Sequence, residues 1–155
     1  MSINLNKSAT PPSSAQPAPQ PTGDPIVAMR SKIASRVFDT YCDSALRAEL
    51  IRHGVADLGL DLARATIILD MELEAAFCVN EHRLTEELDG LLRRFTDKDK
   101  KLDPKERIDA IQIVCKAKSG YSKGLAFDVA EKRVIEFCRA NRVKVKVGLL
   151  RWDIP

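Results

Sequence analysis

The spacing of apolar residues predicts a series of short amphipathic helices after Pro25. Apolar side chains recur every three or four residues, the period that places them on one face of an α-helix. Six such faces follow one another along the chain: Ile26, Met29, Ile33 and Val37; Leu46 and Leu50; Leu62, Ala65, Leu69, Leu73, Ala76 and Phe77; Leu88, Leu91, Leu92 and Phe95; Ile108, Ile111 and Cys115; and Leu125, Val129, Val134, Phe137 and Cys138. The pattern therefore predicts an all-α fold, a single bundle of five or six helices. We expect the third and most apolar helix at its centre.

Residues that favour helix ends locate several boundaries. Asp24-Pro25 and Asp103-Pro104 each place a capping carboxylate before a proline at the first helical position, and Glu106 completes a capping box. The other predicted starts are Asp43, Asp61, Thr85 and Ser122, and the predicted ends are Gly54, Val79, Ser119-Gly120 and Asn141. We expect Gly54 and Asn141 to stop their helices because both residue types tolerate the left-handed backbone conformation.

At the C-terminal end the apolar period changes to two. Val143, Val145 and Val147 alternate with Lys144 and Lys146, which is the pattern of a strand. We find no second convincing strand in the sequence to pair with it. Three interpretations stay open: a strand that pairs with another protein, a strand that joins two copies in a homodimer, and an extended tail over the bundle.

The first 25 residues differ in composition from the rest. They hold six of the eight prolines among Ser, Ala, Gln and Thr, with too little apolar surface to offset the entropy of ordering. No two of these prolines are three apart, so the segment has no PxxP motif. We predict a disordered Pro-rich tail at 1–24, a helical domain at 25–142 and an extended basic C-terminal segment at 143–155. No internal repeat of solenoid period is evident.

Several classes of protein do not fit the chain. No apolar run approaches the ~20 residues of a membrane-spanning helix, and no hydrophobic stretch follows the N-terminal residues as in a secretory signal. The four cysteines are widely separated and form no CxxC pair, which favours reduced core thiols. We therefore expect a cytoplasmic protein without a membrane partner.

Basic residues concentrate towards the C-terminus. Residues 116–151 carry ten basic and three acidic side chains, a net charge of +7, whereas the whole chain has +3. The predicted partner-binding residues are Arg139, Arg142, Lys144, Lys146, Arg151 and Trp152. Three interpretations fit this composition: a solvated basic face without a partner, a face that docks an acidic protein surface, and a face that binds a nucleic acid, whose phosphates contact the cations and whose base stacks on the tryptophan.

The familiar motifs of enzymes and metal sites are absent. The sequence has no GxGxxG, P-loop, GxSxG or HExxH. The mixed Asp and Lys run at 97–103 lacks the Gly and Glu of a calcium loop, and Cys78 and His82 have no further zinc ligands at local spacing. We expect no metal and no cofactor. The basic segment 116–124 has two interpretations, an anion site at the start of helix six or a flexible turn between helices.

One short motif resembles a known family. Arg47 and His53, with five residues between them, resemble the Arg and His of HEPN-type helical ribonucleases, although Ala48 stands where that family usually has a polar residue. The resemblance implies an all-α domain in which the pair activates and orients the 2′-hydroxyl of RNA. On a regular helix the two side chains would point about 120° apart.

Our leading hypothesis is a non-enzymatic protein-interaction module, an adaptor, chaperone-like protein or regulatory subunit of a larger assembly. It would dock through its basic C-terminal end. A nucleic-acid-binding protein and a HEPN-like ribonuclease are the alternatives.

Overall fold

The computed structural model describes residues 23–37, 40–146 and 151–155. Most of them are helical, which confirms the all-α prediction. The elements in chain order are α1 (Pro25–Arg36), β1 (Tyr41–Cys42), α2 (Ser44–Arg52), α3 (Leu62–Ala75), β2 (Val79–Asn80), α4 (Glu81–Thr96), β3 (Lys101–Leu102), α5 (Pro104–Cys115), α6 (Phe127–Asn141), β4 (Lys144–Lys146) and β5 (Trp152–Asp153). The predicted disordered tail at 1–24 lies outside the described residues, apart from its last two.

Both helix starts that contain a proline are confirmed. The Asp24 carboxylate accepts the backbone N–H of Ile26 at 2.9 Å, directly before Pro25 at the first position of α1. At α5 the carboxylate of Asp103 accepts the N–H of Glu106 at 2.8 Å, and the Glu106 carboxylate accepts the N–H of Asp103 at 3.0 Å. This reciprocal pair is the predicted capping box.

The predicted start of α4 at Thr85 is wrong by one turn. Asn80 caps the helix earlier, because its side-chain oxygen accepts the N–H of Arg83 at 3.4 Å. The Thr85 hydroxyl instead donates to the carbonyl of His82 at 2.7 Å, inside the helix.

Gly54 does not end α2 as predicted. The helix continues into a five-residue π-helical turn, His53–Asp57, in which Gly54 is buried. A Cβ atom on Gly54 would lie 3.0 Å from the Cβ of Ala65 and 3.1 Å from the Sδ of Met29. The absence of a Cβ on Gly54 therefore permits the close approach of Met29 in α1 and Ala65 in α3. The glycine with a positive φ in this region is Gly59, at +69°.

The predicted central position of α3 is also wrong. Ala65, Leu69 and Leu73 are buried as predicted, but the helix ends at Ala75 and lies at the surface with one buried face. Three apolar residues on the outer face of α3 and one just after its end are more than half exposed: Leu62, Ile67, Met71 and Phe77. The high apolar content of α3 misled the prediction because apolar residues lie on its exposed face as well as on its buried face.

The predicted junction of helices five and six is several residues too tight. α5 ends at Cys115 and α6 begins at Phe127, with an irregular loop between them. The Leu125 N–H donates to the carbonyl of Val114 at 2.8 Å, and a Cβ on Gly124 would lie 2.4 Å from the Cys115 carbonyl oxygen. The loop therefore packs back against the end of α5, a tertiary contact that the sequence pattern does not reveal.

Arg142, and not the predicted Asn141, closes α6 in the left-handed conformation, with φ of 53°. Asn141 is the last helical residue, and its side-chain amide donates to the Phe137 carbonyl at 2.9 Å. The N–H of Val143 then donates to the Cys138 carbonyl at 2.8 Å, a Schellman-type closure that directs the chain into β4.

Residues 144–146 of the alternating C-terminal segment form a strand that pairs within the chain, and Val147 lies outside the described residues. β4 lies between β3, to which it is parallel, and β5, to which it is antiparallel. We found no partner strand in the sequence because β3 and β5 have two residues each, too few for an alternating pattern. Val143, directly before β4, is fully buried, so this segment contributes to the core.

The described residues form two halves with the same order of elements. The first half, residues 25–80, contains α1, β1, α2, α3 and β2. The second half, residues 81–155, contains α4, β3, α5, α6 and β4 in the same order, followed by β5. In each half the two short strands pair in parallel. Each half also encloses its own cluster of buried side chains. Leu50, Ala65, Leu69 and Leu73 belong to the first, and Ala110, Ala130, Val134 and Cys138 to the second.

Backbone details repeat between the halves. Non-glycine residues with positive φ stand before β1 and β3 and after α3 and α6: Thr40, Lys100, Phe77 and Arg142. The carbonyl of Thr40 accepts the N–H of Val79 at 2.8 Å, and the carbonyl of Lys100 accepts the N–H of Lys144 at 2.9 Å. Val79 of the first half therefore corresponds to Lys144 of the second.

Candidate functional site

The lysines of β4 project from a strand that is held on both sides. Lys144 and Lys146 are exposed, whereas Val145 between them is half-buried and packs against the apolar cluster of the second half. Because the side chains of a strand alternate between its faces, both ammonium groups lie on the outer face. The sheet therefore presents two cations at a fixed spacing.

Two predicted arginines already bind groups of the C-terminal residues. The Arg151 guanidinium lies 2.8 Å from Oδ2 of Asp153, and this hydrogen bond holds the pKa of the Asp153 carboxyl below its usual range. Arg139 donates from Nε to the backbone carbonyl of Pro155 at 2.7 Å. Arg139 therefore connects α6 to the end of the described chain, whereas the Arg151–Asp153 pair lies within the C-terminal residues themselves.

Trp152 is half-buried at the cross-strand position opposite Lys146. The Lys101 ammonium lies 5.5 Å from the centroid of its ring, within the range of a cation–π contact. One face of the indole is thus covered by a basic residue that sequence reasoning missed. Lys101 belongs to the two-residue strand β3, whose pairing with β4 could not be found from pattern.

All six predicted partner-binding residues lie at one end of the second half. The sheet joins Lys144, Lys146 and Trp152, while Arg142 lies two residues before β4 and Arg139 reaches the chain after β5. We call these six residues and Lys101 the basic end. Acidic neighbours occur as well: the Asp99 carboxylate accepts the N–H of Lys101 at 3.1 Å.

Arg47 and His53, the residues of the ribonuclease-like motif, have separate carboxylate partners. Arg47 is 8% exposed and donates to Oδ1 of Asp70 at 2.5 Å, and the Asn80 amide donates to the same oxygen at 2.9 Å. His53 Nδ1 lies 2.6 Å from Oδ2 of Asp57. The structure does not bring the two side chains together at one site.

The cysteines are all free thiols, and Cys42, Cys78 and Cys138 are buried. Burial raises the pKa of Cys42 to about 12 and that of Cys78 to about 11. It also raises the pKa of Cys115 and of Cys138. The raised pKa disfavours the thiolate, which is the reactive form, and the three buried thiols pack as small apolar side chains.

A few side chains join the two halves. The hydroxyl of Tyr41 donates to Oε2 of Glu81 at 2.9 Å, and burial together with this hydrogen bond raises the pKa of Tyr41. The rings of Phe77 and Tyr121 meet edge to face with centroids 5.7 Å apart. Thr40 and Ser122 share a hydrogen bond of 2.9 Å between their hydroxyls.

Beside these contacts lies a cleft of about 350 Å³, which sequence reasoning missed. We call it the inter-half cleft. Its apolar lining residues are Leu73, Cys78, Val79 and Leu84, and its basic lining residues are Arg83, Lys116, Lys118 and Lys123. The loop at 116–124, one of whose interpretations was an anion site, forms one wall. The only signal in the sequence was the basic, glycine-containing composition of that loop.

Among the residues that the structure describes, no helix has the length and apolar character needed to cross a membrane. Neither a known protein family, nor a curated protein, nor a solved structure matches this chain.

Proposed function

We propose that the protein is a non-enzymatic protein-interaction module that docks an acidic surface of another protein through its basic end. An adaptor, a chaperone-like protein and a regulatory subunit of a larger assembly all fit this role. The main support is the exposure of Lys144 and Lys146 on a strand paired along both edges. A rigid strand loses little conformational entropy when a partner binds, so its charges contribute more to affinity.

The environment of Trp152 favours a protein partner over a nucleic acid. Single-stranded nucleic acids bind by stacking successive bases on open aromatic faces. The Lys101 ammonium lies over one face of the Trp152 ring. Trp152 is the one aromatic residue among the seven residues of the basic end. Binding to nucleic acid is therefore the alternative that the experiment has to distinguish.

A homodimer through the C-terminal segment is a second alternative. Both edges of β4 are paired within the chain, so a second copy would have to add to an outer edge of β3 or β5. Sedimentation of the purified chain distinguishes this arrangement from a monomer that binds other proteins.

We also propose a reducing compartment such as the cytoplasm. The support is the set of free thiols, three of them buried at positions where a small apolar side chain packs well.

The test reverses two charges at the basic end and two elsewhere. In Lys144→Glu/Lys146→Glu the exposed lysines become acidic, and in Arg52→Glu/Arg64→Glu the same change is made at exposed residues of the first half. We expect proteins captured by the wild-type chain, quantified by mass spectrometry, to bind at least ten times less to the first variant and equally to the second. Equal capture by both variants would refute docking through the basic end.

The same variants test the nucleic-acid alternative. A labelled single-stranded RNA is titrated across a salt series and then run on a gel. RNA binding that weakens with salt and is lost in Lys144→Glu/Lys146→Glu would replace the proposal by nucleic-acid binding. Cleavage that stops in His53→Ala would replace it by the ribonuclease.

A further inference from the structure

The second half has a strand that the first half lacks. β5 pairs with one edge of β4, with Val145 opposite Asp153. In the first half, β2 pairs with β1 along one edge, and no strand among the described residues pairs with its other edge.

The correspondence of the halves identifies this open edge. Val79 and Lys144 make the same hydrogen bond to the neighbouring parallel strand, so the next residues, Asn80 and Val145, also correspond. Successive residues of a strand direct their backbone groups to opposite edges. The Asn80 N–H therefore points away from β1, as the backbone groups of Val145 point towards β5.

The inter-half cleft lies at this edge. Cys78, Val79 and Asn80 line it, and so does Glu74 of α3. Counted back from the positive-φ residues Phe77 and Arg142, Glu74 corresponds to Arg139, whose side chain binds Pro155 after β5. In the first half, the cleft therefore corresponds to the place where β5 and the residues after it lie in the second half.

The charges of the cleft favour an acidic ligand. Its two carboxylates already have partners, since Asp70 accepts from Arg47 and Asn80, and Glu74 lies 3.4 Å from Arg83. On the opposite wall Lys116 and Lys123 are exposed, and Lys123 lies over the Tyr41 ring at 5.5 Å. An acidic segment would meet these ammonium groups.

We infer that the inter-half cleft is a second docking site, which binds an extended acidic peptide of another protein as an added strand on β2. Strand addition supplies backbone hydrogen bonds, and alternate side chains enter the pocket. The C-terminal residues Trp152, Asp153 and Ile154, apolar and acidic in alternation, illustrate the pattern that the corresponding edge accepts. The inference goes beyond the proposed function, because it concerns the cleft between the halves and not the basic end.

The probe is a fluorescein-labelled peptide, Glu-Trp-Asp-Ile-Asp-Glu, titrated with the full chain and followed by anisotropy. We expect Lys116→Glu/Lys123→Glu to weaken its binding at least tenfold. Arg52→Glu/Arg64→Glu makes the same charge change at exposed residues that line neither the cleft nor the basic end, and we expect less than a threefold effect. Circular dichroism checks that both variants keep the wild-type helix content.

A second probe series tests strand addition without changing the protein. Methylation of backbone nitrogens at alternate positions of the peptide removes the donors of one edge only. We expect one methylated series to bind at least ten times more weakly and the other to bind as the parent does.

Four results would overturn the inference. They are no binding of the parent probe, equal loss in both charge variants, no loss in Lys116→Glu/Lys123→Glu, and equal binding of both methylated series. A wild-type dimer that the probe converts to monomer in sedimentation would assign the cleft to a second copy of this chain instead.

Discussion

Gly124 and Gly90 differ in the atoms that surround their Cα positions. A Cβ on Gly124 would lie 2.4 Å from the Cys115 carbonyl oxygen and 2.6 Å from the Val114 carbonyl oxygen, both of them backbone atoms. Gly90 lies in the interior of α4, and no atom surrounds its Cβ position within 4 Å. The loop after α5 can therefore pack against the end of that helix because residue 124 carries no Cβ atom.

We predict opposite effects of alanine at these two glycines. Gly124→Ala should lower the free energy of unfolding by about 1–3 kcal/mol, because backbone must move to admit the methyl group. Gly90→Ala should raise it by about 0.5–1 kcal/mol, because alanine loses less conformational entropy in a helix. Urea denaturation followed by circular dichroism measures both, and a Gly124→Ala variant as stable as the wild type would contradict the close approach.

Among the elements, α2 and α5 show why helix starts were predicted well and helix ends poorly. Asp43 accepts the N–H of Leu46 at 2.7 Å, and Asp103 accepts that of Glu106 at 2.8 Å. These caps are local, so the residues that form them are visible in the sequence. The ends depend on contacts with distant segments, such as the packing of Gly54 against Met29.

Removal of either of these two helix caps should destabilise the protein. Asp43→Ala and Asp103→Ala should each lower the free energy of unfolding by about 1 kcal/mol, since each leaves a helical N–H without its acceptor. Asp103→Ala should cost more, because it also breaks the reciprocal contact with Glu106. Thermal unfolding ranks the two variants, and a larger loss for Asp43→Ala would show that the capping box adds nothing.

The whole molecule is two similar halves, each around its own apolar cluster. Only some side chains at one junction join them, such as Tyr41 with Glu81 and Phe77 with Tyr121. Stability in proteins is often distributed over such units, which open separately. Destabilising one cluster should therefore affect its own half first.

Leu92 and Leu69, both fully buried, provide a matched pair for this test. Leu92→Ala should reduce the stability of the second half by about 2–5 kcal/mol, and Leu69→Ala that of the first half by a similar amount. Native-state hydrogen exchange of backbone amides should show lost protection mainly in the half that carries the substitution. Equal loss of protection in both halves would mean that the molecule opens as one unit.

The sequence by itself determined the all-α class, the starts of α1, α2, α3 and α5, most of the buried helix faces and the concentration of basic residues towards the C-terminus. Each of these depends on residues that are close together in the chain: a cap three residues from its N–H, an apolar period of 3.6, or a run of like charges. Such local signals can be identified in the sequence without knowledge of the fold.

Only the tertiary structure decided the duplication of the halves, the partners of β4 and the inter-half cleft. Strands of two residues carry no period, and their pairing joins residues as distant as Lys101 and Lys144. The cleft likewise brings together β2 and a loop about 40 residues further along the chain. Contacts at such separations depend on how the helices pack, which no local pattern specifies.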